Sequence, residues 1–197
     1  MSIGERSIMT QNHCIALVGM PGSGKSTIAG LLKKHGYATL RFGDITEKSL
    51  IAQGKQVNEQ NERAFRENIR KEHGMAAYAI RNLPEIQALL SKGNVVADGL
   101  YSWEEYMHLR EKLGSRLIVV HVYSSPSLRY HRLGSRAHRP LTAEEARSRD
   151  HAEIEQLNKG GPIAMADFVV PECDLDTLPR EVDKLVATCQ QQQAGKE

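Results

Sequence analysis

The chain has 197 residues, of which 26 are basic and 24 acidic, so its net charge is +2. This length fits one domain that buries a sizeable hydrophobic core. A charge so close to neutral argues against a protein that binds nucleic acid through bulk electrostatics. The three cysteines are widely spaced and odd in number, so the sequence predicts neither a disulfide framework nor a metal-binding motif.

Nothing in the sequence predicts a membrane protein. No apolar run approaches the roughly 18 residues of a membrane-spanning helix, and the first dozen residues lack the apolar segment of a secretory signal. We therefore expect a cytoplasmic protein. Both ends are polar, so we predict a flexible lead-in at residues 1–11 and a frayed tail at 190–197, around a single domain over 12–189.

Short apolar runs alternate with helical patterns along the chain. The runs predict strands at 13–18, 38–42, 94–98, 116–123 and 167–170. The patterns between them predict helices at 27–34, 58–73, 75–91, 103–113 and 142–158, the third broken or restarted at Pro84. Capping boxes at Ser102 and Thr142 mark the start of the last two helices. This alternation predicts parallel βαβ units with ligands bound at the carboxyl ends of the strands.

The most specific motif is GMPGSGKS at residues 19–26, which has the spacing G-x-x-x-x-G-K-[ST] of a phosphate-binding loop. Glycines allow such a loop to point its backbone N–H groups at a phosphate, and the following helix adds its positive end. We expect these residues to bind the nucleotide: Gly19, Pro21, Gly22, Ser23, Gly24, Lys25, Ser26 and Thr27. The alternative is a glycine-rich turn with a surface lysine, which the strand before and the helix after disfavour.

Two further observations narrow the class of nucleotide-binding protein. The only Asn-Lys pair, Asn158-Lys159, is followed by two glycines, so no guanine-specific Asn-Lys-x-Asp signature is present. Asp98 ends a predicted strand, where an acid can reach the Mg²⁺ of a bound nucleotide. Ser26 and Asp98 are therefore the candidate metal ligands. Alternatively, Asp98 caps the turn that follows the strand.

Arginines are concentrated after the fourth predicted strand, at positions 129, 132, 136, 139, 147 and 149. The spacing of Arg129, Arg132 and Arg136 predicts one helical face. Gly134-Ser135 and Arg139-Pro140 loosen the chain, so we predict a mobile lid at about 134–141 that closes over ATP. Its arginines would stabilise the phosphoryl group during transfer. A solvated basic face or a nucleic-acid patch is the alternative.

Six segments, in this order, resemble the nucleoside-monophosphate-kinase group of P-loop proteins, above all its adenylate-kinase-related and dephospho-CoA-kinase-like members. The resemblance covers roughly residues 13–188, and only its first motif is highly specific. The segments are GMPGSGKST (19–27), FGD (42–44), VVADG (95–99), SPSLRYHRL (125–133), EARSRD (145–150) and ADFVV (166–170).

The resemblance implies a three-layer α/β P-loop fold with a five-stranded parallel sheet of order 2-3-1-4-5. It also implies a helical acceptor-binding insert at about 45–75, besides the lid. The catalytic residues that carry over are Lys25, Asp98, Arg132, Arg136 and Arg149, with Arg132 also contacting the nucleotide. Asp44 matches the acidic residue after the second strand of that group, whose carboxylate resembles a general base facing the acceptor hydroxyl. An equal alternative is that Asp44 binds backbone N–H groups of its own loop.

In that group, arginines after the second and third strands hold the acceptor phosphate, and this sequence lacks them at the matching positions. Leu100-Tyr101 follows Asp98-Gly99, and no arginine closely follows Asp44. The missing arginines have candidate replacements in Arg63, Arg66 and Arg70. Tyr101 and Trp103 could line the acceptor pocket, although ordinary helix packing is the stronger expectation for Trp103.

The sequence thus predicts a phosphotransferase that uses ATP and Mg²⁺ and acts on a nucleotide or nucleotide-like small molecule, such as a nucleoside monophosphate or dephospho-CoA. An ATP-binding regulator without an acceptor is one alternative. A polynucleotide 5′-hydroxyl kinase is another, against which the near-neutral charge and the few aromatic residues count.

Overall fold

The computed structural model describes residues 11–137 and 140–194. Its centre is a five-stranded sheet in which each pair of neighbouring strands is parallel and the order is β2-β3-β1-β4-β5. The predicted fold and strand order are therefore confirmed. The strands are β1 (Cys14–Val18), β2 (Ala38–Arg41), β3 (Val95–Asp98), β4 (Leu117–Val122) and β5 (Phe168–Val170).

Helices occupy the connections between the strands. Within the described residues they are α1 (Lys25–Lys34), α2 (Asp44–Ala52), α3 (Glu59–His73), α4 (Ala77–Leu90), α5 (Trp103–Leu113), α6 (Pro126–Gly134), α7 (Ala143–Glu155), α8 (Gly160–Ala164) and α9 (Leu178–Ala194). None of them combines the length and the apolar composition that crossing a membrane requires.

The sheet is buried on both faces, which explains why its strands are continuous apolar runs. In β1, Cys14, Ala16 and Val18 pack into the core layer that contains α4 and α5. Ile15 and Leu17 point the other way, into the layer that contains α1 and α9. The carboxyl ends of all five strands consequently form one edge, between two rigid helical layers.

The predicted helix ends are confirmed where a side chain or a glycine defines them. Asn58 caps α3 and Ser102 caps α5 through their side chains, and Thr142 opens α7 with a complete capping box. Gly74 and Gly114 end α3 and α5 with positive φ angles.

Two predictions about chain continuity are wrong. Helix α4 runs unbroken through Pro84, because residues before and after it, such as Tyr78 and Ile86, are buried in the same core. That shared burial outweighs the lost hydrogen bond of the proline. Helix α9 continues to Ala194, so residues 190–194 are helical rather than a frayed tail; its buried Val182 and Cys189 hold it against the sheet.

Parts of the predicted mobile segments lie outside the described residues. Of the lead-in at 1–11, only Gln11 is described, and residues 195–197 of the tail are not. Within the predicted lid at 134–141, positions 138 and 139 are likewise outside the described ranges. The predicted acceptor insert at 45–75 contains most of α2 and all of α3.

Candidate active site

The loop between β1 and α1 requires glycine at specific positions because other backbone segments lie very close to it. A Cβ on Gly19 would lie 2.4 Å from the carbonyl oxygen of Val122, and one on Gly22 would lie 2.8 Å from that of Arg129. Gly19, Gly22 and Gly24 also have φ angles of 154°, 81° and 99°, which residues with a side chain rarely adopt. The glycines of the motif thus allow a tightly enclosed loop.

The enclosed loop leaves polar groups available to an anion. Helix α1 begins after Gly24 with no side-chain cap and with no acidic residue in its first turn. The hydroxyl oxygen of Ser23 is buried without a hydrogen-bond partner. Uncapped N–H groups and the positive end of a helix bind phosphate, so the loop fits the polyphosphate of a nucleotide.

Lys25 is the basic side chain of this loop. Its Nζ donates to the carbonyl oxygens of Gly19, at 2.8 Å, and Met20, at 3.1 Å. Burial, followed by the positive charge of Lys159, lowers the pKa of Lys25 to about 7. A bound polyphosphate would favour the charged amine, because an anion nearby stabilises the protonated form.

The two candidate metal ligands lie next to each other. Ser26 Oγ donates to Asp98 Oδ2 at 2.7 Å, because α1 begins directly above the end of β3, where Asp98 is in register with Leu17 of β1. A hydroxyl and a carboxylate are hard oxygen ligands of the kind that Mg²⁺ uses when water and substrate phosphate complete its shell. Among the described residues, no cluster of three or more His, Cys, Asp or Glu could hold a metal by itself.

The arginines after β4 have separate roles and do not share one helical face. Arg129 is buried and binds Asp150 through two hydrogen bonds, at 2.8 and 2.6 Å, and it also donates to the carbonyl oxygen of Pro21 at 3.1 Å. It therefore holds α7 and the phosphate loop together rather than facing a substrate. The prediction that Arg129, Arg132 and Arg136 form one face is wrong, since α6 ends at Gly134.

Arg132 lies against the phosphate loop. Its Nη1 donates to Ser124 Oγ at 3.0 Å and to the carbonyl oxygen of Gly22 at 3.4 Å. Arg136 follows the end of α6 and is exposed, with its side chain at the rim of a cavity. Partial desolvation at this rim, then the positive charges of Arg149 and Arg41, lower the pKa of Arg136.

A cavity of about 1390 Å³ begins at the candidate metal ligands and extends between α3 and α7. Ser26 and Asp98 line one end, together with Tyr101. Seven basic and eight acidic side chains belong to its lining, so the cavity as a whole carries both signs of charge. They are Arg41, Arg63, Arg66, Arg70, Lys71, Arg136 and Arg149, with Glu47, Glu59, Glu62, Glu67, Asp98, Glu144, Glu145 and Glu153.

Ion pairs join the two helices that form the cavity. Glu59 at the start of α3 binds Arg149 of α7 at 3.3 Å and Arg66 at 2.6 Å. Arg149 also binds Glu153 at 3.3 Å. Arg149 thus lines the cavity and is held there by a carboxylate from each helix; its catalytic role stays a prediction.

Two charged residues that sequence reasoning missed lie beside Lys25. Lys159 is 1% exposed, donates to the carboxylate of Glu153, and lies 5.2 Å from the centre of the Tyr101 ring. Burial alone would raise the pKa of Glu153, but Lys159 and Arg149 lower it to about 2. The four-residue spacing from Arg149 to Glu153, which is typical of an ion pair on a helix, is the one sequence signal for this cluster. No sequence pattern indicates the role of Lys159.

Other predicted residues are less central. Asp44 begins α2, does not line the cavity, and lies 3.9 Å from Arg41; its role as a general base stays a prediction. Arg63, Arg66 and Arg70 do line the cavity, but each is paired with a carboxylate. Trp103 stacks on Tyr106, as expected for helix packing, whereas Tyr101 reaches the cavity.

Comparisons with known proteins place this chain in a family. Residues 15–158 match the family AAA_18, described as an AAA domain, and the chain belongs to that family. It also belongs with the proteins named UPF0200. The one from Thermococcus onnurineus is 32% identical over 87% of this chain and 95% of its own length. The one from Pyrococcus furiosus is 33% identical over 88% and 95%.

Solved structures of small-molecule kinases share the fold. A gluconokinase from Sinorhizobium meliloti has a TM-score of 0.59 and 19% identity, covering 95% of this chain and 99% of its own. A shikimate kinase from Acinetobacter baumannii, in complex with shikimate, has a TM-score of 0.57 and 21% identity, covering 91% and 95%. The chain therefore has the P-loop fold of these kinases.

Proposed function

We propose that this protein is a phosphotransferase that uses ATP and Mg²⁺ to phosphorylate a nucleotide or a nucleotide-like small molecule. The observation that carries the proposal is the continuity between the phosphate loop and the cavity. Ser26 and Asp98 are joined to each other and also line a cavity of about 1390 Å³. A phosphoryl group bound at the loop would face a space large enough for a second substrate.

The residues at this junction have the properties that phosphoryl transfer requires. The phosphate loop and Lys25 would hold the triphosphate, and Ser26 and Asp98 would hold Mg²⁺, which supplies charge neutralisation when bound. Arg132 and Arg149 would contribute positive charge on the side of α6 and α7. Positioning and electrostatic stabilisation supply most of the catalysis in this reaction.

The cavity also supports an enzyme over the two alternatives. A regulator that only binds ATP has no need for a second substrate cavity next to the metal ligands. A polynucleotide kinase would need a basic channel for the phosphate backbone, whereas eight carboxylates line this cavity. The similar folds of gluconokinase and shikimate kinase support transfer to a small acceptor.

The test is ADP formation from Mg·ATP with one candidate acceptor at a time. The panel contains ribo- and deoxynucleoside monophosphates, dephospho-CoA, gluconate, shikimate and a short 5′-hydroxyl oligonucleotide. We expect one small acceptor to stimulate ADP formation strongly, and the Lys25→Ala variant to lose several kcal/mol of transition-state stabilisation while remaining folded.

Other outcomes would contradict the proposal in distinct ways. Tight ATP binding without stimulation by any acceptor would indicate the regulator. Stimulation by the oligonucleotide alone, with a steep loss of binding in added salt, would indicate the polynucleotide kinase. Full activity of Lys25→Ala would remove the phosphate loop from the reaction.

A further inference from the structure

The ring of Tyr101 is fixed by contacts on several sides. It makes edge-to-face contacts with Phe42 and Tyr78, at centroid distances of 6.4 and 5.8 Å, and both of these neighbours are 0% exposed. The backbone N–H of Tyr101 donates to the buried carboxylate of Glu105 at 2.9 Å. The Nζ of Lys159 lies 5.2 Å from the centre of the ring, a distance at which a cation is attracted to an aromatic face. The position of the hydroxyl is therefore set before any ligand binds.

Two glycines at the ends of neighbouring strands make room for this hydroxyl. A Cβ on Gly99 would lie 2.7 Å from the hydroxyl oxygen of Tyr101, and one on Gly43 would lie 3.3 Å from it. Gly99 directly follows β3, and Gly43 lies two residues beyond the end of β2. The phosphate loop follows β1, which is on the other side of β3 from β2. The hydroxyl thus lies at the end of the sheet, on the side away from the strand that leads into the loop.

The hydroxyl of Tyr101 is free to meet a ligand. The neighbouring Tyr78 shares its hydroxyl with Thr46 at 2.5 Å, as buried tyrosines usually do with some partner. In the part of the chain that the structure describes, no hydrogen bond joins the Tyr101 hydroxyl to another residue. Its oxygen is not among the unpaired polar atoms that are closed off from solvent, and Tyr101 lines the cavity together with Ser26 and Asp98. A donor is thereby available next to the candidate metal ligands.

The surroundings of Tyr101 keep its proton in place. Burial, followed by the negative charge of Asp98, raises the pKa of Tyr101 above the ordinary value of about 10. The hydroxyl therefore stays protonated at neutral pH and can donate to the oxygen of a hydroxyl, a carboxylate or a phosphate. Because the ring is already fixed, this hydrogen bond requires little further ordering of the side chain.

We propose that Tyr101 determines acceptor specificity, because its hydroxyl donates a hydrogen bond to an oxygen of the acceptor at the end of the cavity where transfer occurs. The inference rests on the proposed function and assigns to it a residue that contacts the acceptor. The loop and Lys25 would hold the triphosphate beyond β1, whereas the hydroxyl lies at the ends of β2 and β3. An acceptor without the matching oxygen would leave the hydroxyl unpaired, which a site built around a hydrogen bond disfavours strongly.

The first test removes the hydroxyl and keeps the ring. ADP formation by Tyr101→Phe is measured with nucleoside monophosphates, dephospho-CoA, gluconate and shikimate, one at a time. For the acceptor that is used, we expect KM to rise about tenfold, while kcat and the KM for ATP change less than about twofold. Tyr106→Phe removes a hydroxyl from α5 outside the cavity and should behave as the unmodified protein does.

Tyr101→Ala distinguishes the hydroxyl from the ring. If only Tyr101→Ala loses activity and Tyr101→Phe keeps the acceptor KM of the unmodified protein, the residue acts through packing and the inference is overturned. A higher KM for ATP in Tyr101→Phe would mean that the hydroxyl contacts the triphosphate, which also overturns it. A fall in kcat alone would assign the contact to the migrating phosphoryl group and would overturn the assignment to the acceptor.

The second test measures binding without turnover and separates this inference from the proposed function. The protein is saturated with Mg²⁺ and a non-hydrolysable ATP analogue, and the same acceptors are titrated by calorimetry. We expect the acceptor that is used to bind about tenfold more weakly to Tyr101→Phe than to Tyr106→Phe. Equal affinities would overturn the inference and leave the phosphotransferase standing. No turnover of any acceptor by the unmodified protein would overturn the proposed function, and this inference with it.

Discussion

Ser26 and Asp98 are 72 positions apart in the sequence, yet their side chains are joined by a hydrogen bond of 2.7 Å. The bond connects the first turn of α1 with the end of β3, and it fixes the direction in which both oxygens face the cavity. Two candidate metal ligands that belong to different motifs are thereby held close enough to share one metal ion, at the point where a phosphoryl group would leave the loop.

Removing the charge of Asp98 should separate metal binding from nucleotide binding. Asp98→Asn keeps the size of the side chain but replaces an anionic ligand with a neutral one. We expect Mg²⁺-dependent ADP formation to fall about a hundredfold, because the metal is held less firmly during transfer. ATP affinity in EDTA, measured by calorimetry, should not change. Asp183→Asn, on an exposed part of α9, is the control, and equal turnover in both variants would contradict the metal role.

Lys159 should keep the carboxylate of Glu153 from pairing with Lys25. Both lysines interact with Glu153, and Lys159 engages that carboxylate directly. In Lys159→Met, Glu153 would turn to Lys25 and compete with the phosphates. We therefore expect ATP binding, followed with a fluorescent analogue, to weaken about tenfold.

The double variant Lys159→Met with Glu153→Gln provides the decisive comparison. It removes the competing carboxylate together with Lys159, so we expect ATP affinity to return toward that of the unmodified protein. An additive loss in the double variant would show that Lys159 binds phosphate directly. Lys184→Met, a 72% exposed lysine on α9, controls for the loss of a positive charge.

The buried acid Glu105 should make stability depend on pH. Its side chain is 0% exposed, and burial raises its pKa from 4.5 to about 7, although Arg70 opposes the shift. Between these values the folded protein holds a proton that the unfolded chain has released. The free energy of unfolding should therefore fall as pH rises through this window.

Urea unfolding at about pH 5 and pH 8 tests the sign of this effect. In Glu105→Gln the titrating group is absent, so we expect the difference between the two pH values to shrink by an amount of the order of 2 kcal/mol. Glu111→Gln, an exposed change on the same helix, should leave the difference unchanged. A larger pH dependence in Glu105→Gln would contradict the prediction.

The pair Arg129–Asp150 should be a major source of stability. Its side chains are 4% and 7% exposed, so Asp150→Ala leaves a buried guanidinium without its carboxylate. We expect a loss of about 3–5 kcal/mol in the free energy of unfolding. Glu67→Ala removes the partner of Arg63 in an exposed pair and should cost less than about 1 kcal/mol. Similar losses in the two variants would show that burial of the first pair contributes nothing.

The sequence predicts those parts of the fold that depend on local signals. Apolar runs, capping boxes and glycine stops mark the strands and most helices, because burial and capping act over a few residues. The interpretation of Pro84 as a break and of 190–194 as a tail is wrong because each helix is packed into the core by other residues, α4 by Tyr78 and Ile86 and α9 by Val182 and Cys189. Local patterns contain no information about such contacts.

By itself, the sequence determined the phosphate loop, the strand order through family resemblance, and the candidacy of Ser26 and Asp98. The loop motif is informative because its chemistry depends on neighbouring residues and on backbone freedom. Only the tertiary structure decided which arginines are available. Arg129 has its carboxylate in Asp150 and Arg66 in Glu59, whereas Arg136 lines the cavity without a hydrogen bond or ion pair to another residue in the described ranges. Charge compensation is a property of distances between remote segments, and those distances exist only once the chain is folded.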